Sequence, residues 1–397
     1  MDRHSDRTRL IAAATQRGKG RRPVNPPLER ASTLLSDRVA DMRDDSLGPV
    51  YGIDGTASQN ALRAAVADLE GAAHCWLAPS GLAAVTLPIL ALTRPGDEVV
   101  TTDAVYGPVR RFLTRHLAAR GVTTRFHAPE ATVDEIMATA TERTRLILIE
   151  SPASLTFEMT DVPALAVAAR ARGLLTVMDN SWAAGLAFKP LAHGVDVSVQ
   201  ALTKYAGGHS DLLLGSICAK DPGVATSVAA TIEDLGICVS PDDAWLALRG
   251  LRTLTLRYAE QARSALKVAT WLADRPEVAR VLHPALPGDP GHAIWARDYS
   301  GAASIFGVVM KGGNPKAAEG FLEALSLFGL GYSWGGFESL ATSETPQLAF
   351  RRTPPALEGP LLRLHIGLED PADLIADLEQ GLRAWRALQD SNLRPSA

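Results

Sequence analysis

The chain has 397 residues, of which 46% are hydrophobic and 21% charged, and its formal net charge is −4. This length predicts two or three domains with ample chain for a large core, in an ordinary globular protein. The small negative charge excludes a general attraction to nucleic acid or to anionic membranes, and no apolar run reaches the length of a membrane span. We therefore expect neither nucleic acid nor a membrane as a partner.

The cysteines and the amino terminus indicate the compartment. Cys75, Cys218 and Cys238 lack the spacing of a zinc site or a disulfide framework, which is consistent with a reducing cytoplasm. The first 22 residues are rich in arginine and lysine, but they also carry acids and lack the apolar region of a secretory signal. We expect this segment to be a solvated, disordered arm, and residues 390–397 to be a frayed tail.

From about residue 57 to 220, short apolar runs alternate with helical patterns, which is typical of a mainly parallel sheet. The apolar spacing between Leu62 and Leu69 predicts a helix that ends at Gly71. Further strands are predicted at 98–102, 122–124, 145–150 and 174–179, with a helix at 164–172.

The pattern changes after Pro241. One long helix is predicted over residues 244–272, and we expect it to link two domains. Beyond it, strands are predicted at 305–310 and 361–366, and helices at 316–327 and 370–388. This mixture predicts a smaller α+β domain at the carboxyl end of the chain.

One lysine stands where a buried strand ends. Apolar, β-branched residues from Val195 onwards lead into a polar turn that carries Lys204 and is followed by glycines, a histidine and an aspartate. At the floor of a site, partial burial and neighbouring charge lower the pKa of a lysine, which its amine needs in order to condense with an aldehyde. The alternative is a surface lysine whose stem packs on apolar groups.

A second buried-strand pattern, residues 174–178, places Asp179 at its carboxyl end. In open parallel sheets, ligands bind outside the carboxyl ends of the strands. An aspartate and a lysine presented there together suit pyridoxal phosphate, because the lysine can form a Schiff base and the carboxylate can keep the pyridine nitrogen protonated. We therefore predict pyridoxal phosphate as the cofactor.

Two further motifs fit this cofactor. Ser80, Gly81 and Leu82 begin a predicted helix directly after a strand-like run, so their backbone N–H groups could bind a phosphate, although a Ser-Gly start also serves as a simple helix cap. Tyr106 follows a predicted strand end, where its ring could stack on a flat cofactor or simply pack at a helix start.

Taken together, these motifs resemble those of one family, the Cys/Met-metabolism enzymes that depend on pyridoxal phosphate. The strings that carry the resemblance are Tyr51-Gly52, Ser80-Gly81, Tyr106-Gly107, Glu150-Ser151-Pro152, Asp179-Asn180-Ser181-Trp182 and residues 203–211. It extends from Val24 to about Leu382. The resemblance implies fold type I, an aspartate-aminotransferase-like α/β fold, with a mainly parallel, seven-stranded sheet in a large domain and a smaller α+β carboxyl-terminal domain.

The resemblance also implies an assembly and a division of the chain. The protein would be a homo-oligomer, a dimer at minimum, with a tetramer as the larger form. Residues 1–56 would form an amino-terminal segment that contacts the neighbouring subunit, residues 57–243 the cofactor-binding domain and residues 244–397 the substrate domain.

The same resemblance implies roles for individual residues. Lys204 would hold the cofactor and move the α-proton, Asp179 would pair with the pyridinium, and Tyr106 would stack on the ring and help to deprotonate the incoming amine. The other residues expected to bind the cofactor are Gly81, Leu82, Ser198, Thr203, Ser154 and, from the neighbouring subunit, Tyr51. The α-carboxylate of an amino-acid substrate would bind Arg363, in a pocket lined by Tyr332, Ser333 and Trp334. The alternative for Arg363 is an ordinary ion pair on a strand.

Two positions depart from the family pattern. Many members carry Tyr-x-Arg where this chain has Tyr51-Gly52-Ile53, and isoleucine offers a phosphate neither charge nor donor. Arg43 and Arg63 are the candidates to supply the missing cation. Ser154 stands where many members carry asparagine, and a serine can still donate a hydrogen bond.

The strings at 283–288, 331–339 and 362–370 are most similar to those of bacterial cystathionine β-lyases, whereas γ-lyases and γ-synthases usually carry Ser-Leu-Gly at residues 333–335. This similarity implies a carbon–sulfur β-lyase of methionine biosynthesis that cleaves L-cystathionine to homocysteine, pyruvate and ammonia. The alternatives are a relative acting on cysteine or S-alkylcysteine, a cystathionine γ-synthase or γ-lyase, and a non-catalytic regulatory protein that binds the cofactor.

Overall fold

The computed structural model describes residues 4–15 and 20–393, without the side chains of Asp45 and residues 390–393. Its α-helices are α1 Asp6–Ala12, α2 Ala57–Glu70, α3 Gly81–Leu92, α4 Gly107–Arg111, α5 Val133–Thr139, α6 Val162–Ala171, α7 Pro222–Asp234, α8 Pro241–Leu251, α9 Leu254–Ala273, α10 His292–Asp298, α11 Pro315–Glu323, α12 Thr345–Leu348 and α13 Pro371–Leu393. Its strands are β1 His74–Ala78, β2 Glu98–Thr102, β3 Thr123–His127, β4 Thr144–Glu150, β5 Leu175–Asp179, β6 Val197–Gln200, β7 Gly215–Ala219, β8 Val278–Leu282, β9 Ile305–Met310, β10 Gly329–Leu330, β11 Leu340–Ser343 and β12 Leu361–His365. A π-helical turn, Phe112–Leu117, continues α4, and 3-10 turns cover Asp41–Arg43, Asp45–Leu47, Gly52–Asp54, Ala118–Arg120 and Pro190–His193.

A seven-stranded sheet in the order β1-β7-β6-β5-β4-β2-β3 organises the first half of the chain. The pairs from β6 to β3 are parallel, and only β7 runs against its two neighbours. Successive side chains alternate between the two faces, so that Val177 packs on the α3 side and Met178 on the α2 side. Because β1, β4, β5 and β6 share one direction, the residues that follow them meet at one edge. The predicted α/β class and the mainly parallel sheet are confirmed.

A smaller sheet in the order β10-β11-β12-β9-β8 follows, in which only β10 and β11 are parallel. Helix α9 packs in the cores of both sheets. Leu254 and Tyr258 at its start belong to the core of the large sheet, whereas Val268 and Leu272 pack in the core of the small sheet. The boundaries at residues 57 and 244 stay predictions.

The termini are more ordered than expected. The amino-terminal segment is not a solvated arm throughout, because α1 buries Leu10 and because Arg9 forms an ion pair with Asp68 at 2.8 Å. The expected frayed tail is helical as far as Leu393, and residues 394–397 lie outside the described part. No helix in the described part is both long and apolar enough to cross a membrane.

The prediction of one helix over residues 244–272 is wrong, because the segment forms α8 and α9 with a break at Arg252 and Thr253. The carbonyl of Gly250 accepts from the Thr253 N–H at 3.1 Å and from Arg257 Nη2 at 2.8 Å. These two hydrogen bonds satisfy the Gly250 carbonyl near the end of α8, so the helix can end there.

We expect Gly250→Ala to lower the free energy of unfolding by about 2 kcal/mol, even against a gain of about 1 kcal/mol in helix propensity. A Cβ there would lie 2.3 Å from the Ala206 oxygen and 2.4 Å from the Gly207 oxygen, so the backbone beside Lys204 must shift. Gly288→Ala is the matched control, because its Cβ would meet nothing within 4 Å. Urea unfolding of the two cofactor-free variants, followed by circular dichroism, measures the difference. Equal stabilities would contradict this packing.

Candidate active site

Lys204 lies half-buried in the turn that follows β6. Its Nζ donates to Ser333 Oγ at 2.7 Å and lies 5.1 Å from the centroid of the Trp334 ring. Burial and the positive charge of Arg363 lower the pKa of Lys204 to about 8, against an opposing effect of Asp179. An amine with this pKa gives up its proton readily near neutral pH, which suits a lysine that forms a Schiff base.

Arg257 fixes the segment that follows Lys204. The sequence did not identify it as a site residue. Its guanidinium donates to the carbonyls of Tyr205 and Gly250, each at 2.8 Å, and to that of Ala206 at 3.4 Å. Burial lowers the pKa of Arg257 to about 10. Gly208 has φ +71, and a Cβ there would lie 1.8 Å from Arg257 Nη1, so the glycine leaves room for the guanidinium.

The loop between β10 and β11 lies against the same turn. Gly335, at φ +82, approaches so closely that a Cβ would lie 2.7 Å from the Tyr205 nitrogen. This approach places Ser333 and Trp334 at the Lys204 amine, whereas Tyr332 is 77% exposed. The predicted lysine and two of the three predicted pocket residues therefore come together.

Two carboxyl groups end neighbouring strands at this edge. Asp179 ends β5 and accepts a hydrogen bond from the Ser181 N–H at 3.0 Å. Burial raises the pKa of Asp179, and the bonds from Ser181 and the charge of Lys204 oppose that shift. Glu150 ends β4 in register with Asp179 and accepts from the Tyr106 N–H at 2.7 Å. The sequence by itself indicates no role for Glu150, because the register of two strands cannot be read from their separate patterns.

Tyr106 lies at the start of α4, with 43% of its surface exposed. Burial and the charges of Glu150 and Asp179 raise the pKa of its phenol, whereas Arg363 and Arg111 lower it. Tyr106 is therefore close enough to interact with the charged groups of the site, and it also lies at a helix start.

The start of α3 offers backbone donors at the same edge. The hydroxyl of Ser80 accepts from the Ala83 N–H at 3.1 Å, so the serine is a helix cap. The N–H groups of Gly81 and Leu82 lie in the first turn, which has no intrahelical acceptors and attracts anions. Gly81 also packs directly on Ala201, since a Cβ would lie 2.4 Å from the Ala201 Cβ. The helix start thus lies beside the turn that carries Lys204.

The prediction that Ser198 binds phosphate is wrong. Its hydroxyl donates to buried Glu70 at 3.0 Å, and its register with Met178 places it on the face of the sheet opposite to Asp179. The hydroxyl of Thr203 donates to the Leu214 oxygen at 3.1 Å and accepts from the Leu214 N–H at 3.0 Å. A phosphate would have to compete with these backbone bonds.

Arg363 lies on β12, with its Nη1 3.3 Å from Glu344 Oε1. Burial lowers the pKa of Arg363, and Glu344 opposes that shift. The buried carboxylate of Glu344 also accepts from Thr342 Oγ1 at 2.7 Å, which fixes its position. Apart from this ion pair, the Arg363 guanidinium forms no hydrogen bond among the described residues, so its N–H groups can bind a carboxylate.

The remaining two predicted residues, Ser154 and Tyr51, form no hydrogen bond with the Lys204 amine in the described part of the chain. Ser154 donates from its backbone to the Ala104 oxygen at 3.0 Å and accepts from Arg351 Nη2 at 2.8 Å, near the loop of Tyr106. Tyr51 is 52% exposed and forms a β-bridge with Thr33. Within the described chain, no hydrogen bond joins Tyr51 to another predicted site residue.

These groups fit pyridoxal phosphate. The amine of Lys204 has the lowered pKa that attachment to an aldehyde needs, and Asp179 can pair with a pyridinium. The close packing of Gly81 on Ala201 turns the backbone donors of α3 toward the same edge, where they can hold the phosphate.

We expect the rate at which cofactor-free protein binds pyridoxal phosphate covalently to rise with pH through a midpoint near 8, because only the neutral Lys204 amine attacks the aldehyde. Arg363→Gln should raise this midpoint, since the variant removes a positive charge that favours the neutral amine. Stopped-flow absorbance of the two proteins across a pH series measures both values. A midpoint near 10.5, the ordinary value for lysine, would contradict the described environment.

The known proteins that resemble this chain are enzymes that depend on pyridoxal phosphate, the cofactor that the site fits. The family model for Cys/Met metabolism PLP-dependent enzymes matches residues 7–383. The chain is 45% identical to a cystathionine β-lyase of Bordetella avium, with 91% of this chain and 93% of the relative covered. It is 41% identical to the cystathionine β-lyase MetC of Escherichia coli, with 94% and 97% covered.

A solved structure extends the likeness to the fold. The cystathionine γ-synthase of Xanthomonas oryzae, in complex with aminoacrylate and cysteine, superimposes with a TM-score of 0.88 at 29% identity, covering 97% of this chain and 99% of that one. The fold-type-I prediction is therefore confirmed. The chain belongs to the Cys/Met metabolism family of enzymes that depend on pyridoxal phosphate, which is its cofactor.

Proposed function

We propose that this enzyme is a carbon–sulfur β-lyase that cleaves L-cystathionine to homocysteine, pyruvate and ammonia. The observation that carries the proposal is the placement of Ser333 and Trp334 directly at the Lys204 amine. The relatives at 45% and 41% identity that are named cystathionine β-lyase support the same reaction.

Each residue at the site has a task in this reaction. Pyridoxal phosphate, when bound, supplies an electron sink for the charge left at Cα. Arg363 binds the α-carboxylate through the N–H groups that Glu344 leaves free. Lys204 removes the α-proton, and its pKa of about 8 keeps the amine available as a base near neutral pH.

Bond cleavage follows proton removal. The Cβ–S bond breaks with its electron pair on sulfur, which takes up a proton and leaves as homocysteine. The remaining three-carbon unit hydrolyses to pyruvate and ammonia. Ser333 accepts a hydrogen bond from the Lys204 amine, and Trp334 presents its ring to the ammonium form, so together they restrict the positions that the amine can take.

The alternatives within the family include a cystathionine γ-synthase or γ-lyase, and the likeness to the Xanthomonas structure shows that a γ-synthase has the same fold. A lyase for cysteine or S-alkylcysteine would use the same residues with a different pocket shape. A non-catalytic regulatory role is opposed by the presence of Lys204, Asp179 and Arg363 in one site.

We further propose that the enzyme works as a homodimer at minimum, with a tetramer as the larger form. Residues 24–53 form little regular structure and expose many apolar side chains, which is typical of a surface that a partner covers. The most exposed of these are Val24, Leu35, Val39, Met42 and Leu47, at 62–94%. The three free cysteines, Cys75, Cys218 and Cys238, support the cytoplasm as the compartment.

We expect the purified holoenzyme to release pyruvate from L-cystathionine, measured by coupling to lactate dehydrogenase and NADH. Lys204→Ala should retain at most a trace of this activity, because the cofactor attachment and the base are lost together. Borohydride reduction followed by peptide mapping should place the label on Lys204.

Chromatographic identification of the products separates the alternatives, because lactate dehydrogenase reduces both pyruvate and 2-oxobutyrate. Release of 2-oxobutyrate instead of pyruvate would show γ-cleavage and overturn the β-lyase proposal. Pyruvate formed from cysteine or S-methylcysteine, with none from cystathionine, would move the enzyme to another thioether. Synthesis of cystathionine from cysteine and an acylated homoserine would show the γ-synthase reaction.

Ile53 occupies the position at the proposed subunit boundary where many family members carry an arginine. Ile53 is 40% exposed in the isolated chain. Arg63 Nη1 donates to the Asp54 oxygen at 2.7 Å, whereas Arg43 is exposed. In the family this position faces the phosphate of the neighbouring subunit.

We therefore expect Ile53→Arg to lower the dissociation constant of pyridoxal phosphate by about tenfold, the value of one charge-assisted hydrogen bond to a phosphate. Ile53→Leu is the matched control and should leave the constant unchanged. Titration of the cofactor-free proteins, followed by absorbance, measures both. If Ile53→Arg binds no more tightly, another cation already satisfies the phosphate.

A further inference from the structure

Glu150 is a half-buried carboxyl group at the site that has no task in the reaction described above. It ends β4 in register with Asp179 on β5. Register partners on parallel strands point to the same face, so the two carboxyl groups lie side by side at the edge of the sheet where Lys204 lies. Two negative charges on neighbouring strands repel each other, so the ionisation of one carboxyl group disfavours the ionisation of the other.

The charged neighbours of the two carboxyl groups differ, because Lys204 stabilises the charge of Asp179. Asp179 accepts from the Ser181 N–H at 3.0 Å and is stabilised as an anion by the charge of Lys204. In the described part of the chain, Glu150 accepts a single N–H, that of Tyr106, at 2.7 Å. A protonated carboxyl group can accept this bond through its carbonyl oxygen, so the contact does not require a charge.

The guanidinium of Arg351, which favours the charged form of Glu150, is bonded to other groups. Arg351 Nη2 donates to the Ser154 oxygen at 2.8 Å and to Thr156 Oγ1 at 2.7 Å. It forms no ion pair with Glu150 among the described residues. Burial and the charge of Asp179 raise the pKa of Glu150 well above its usual range, against the smaller opposing effects of the Tyr106 N–H and Arg351.

We propose that Glu150 is an uncharged positioning residue, which keeps its proton and fixes Tyr106 by the backbone while Asp179 remains the only anion of the pair. The inference deepens the proposed function and rests on it, since it assigns Tyr106 and Asp179 to the cofactor. An ionised Glu150 would place a second negative charge beside the one that pairs with the pyridinium.

Glu150→Gln tests the proposal, because glutamine keeps the acceptor and the shape but never carries a charge. The first readout is the pH titration of the visible absorption of the bound cofactor. We expect the midpoint of the variant to lie within about 0.3 units of that of the wild type. A unit charge within about 6 Å would instead move a titration by about one unit or more, so a shift of that size would overturn the proposal.

The second readout is an infrared difference spectrum between the wild type and Glu150→Gln at neutral pH. We expect a carbonyl band of a protonated carboxylic acid that is present in the wild type alone. A carboxylate band in its place would overturn the proposal, and a wild-type pH series gives the same answer if the variant folds poorly.

The positioning role has its own readout. Glu150→Ala removes the acceptor of the Tyr106 N–H and should weaken cofactor binding by about tenfold, whereas Glu150→Gln should stay within about twofold of the wild type. Equal affinities of the two variants would show that Glu150 does not position Tyr106. None of these measurements uses a thioether substrate, so their failure is distinct from failure of the wild type to release pyruvate.

Discussion

The chemistry of this enzyme depends on the partial burial of one amine. Lys204 loses part of its hydration and lies close enough to Arg363 for the two positive charges to disfavour each other, which lowers the pKa of the lysine to about 8. A fully exposed lysine would remain protonated at neutral pH, and a fully buried one would have no access to a substrate. The rest of the site maintains this intermediate position.

Contacts between distant parts of the chain hold the amine there. The turn of Lys204 is enclosed by the guanidinium of Arg257 from α9 and by the close approach of Gly335 from the small sheet. Helix α9 also contributes to the cores of both sheets, so the geometry at Lys204 depends on how the two parts of the chain pack. A shift of either part would change the burial of the amine and with it the pKa.

Sequence alone determined the features that depend on neighbours along the chain. Alternating and continuous apolar runs identified the strands that end at Glu150 and Asp179, and parallel strands with one direction must end at one edge. The Ser80-Gly81 start of α3 and the lysine after β6 follow from the same local patterns. These signals sufficed to predict the α/β class and the cofactor, and they singled out Lys204 and Asp179 as candidate site residues.

Only the tertiary structure decided where the remaining polar groups point. Ser198 donates to Glu70, which is 128 residues away along the chain, because the alternation of β6 turns its hydroxyl to the α2 side. Arg257 of α9 donates to the carbonyl of Gly250 near the end of α8, and Glu344 pairs with Arg363 in the small-sheet part of the chain. A pattern of residue types records which positions are apolar, but it does not record which distant acceptor a buried donor will find. That choice is made by strand register and domain packing, since a buried polar group must be satisfied by whatever the fold places beside it.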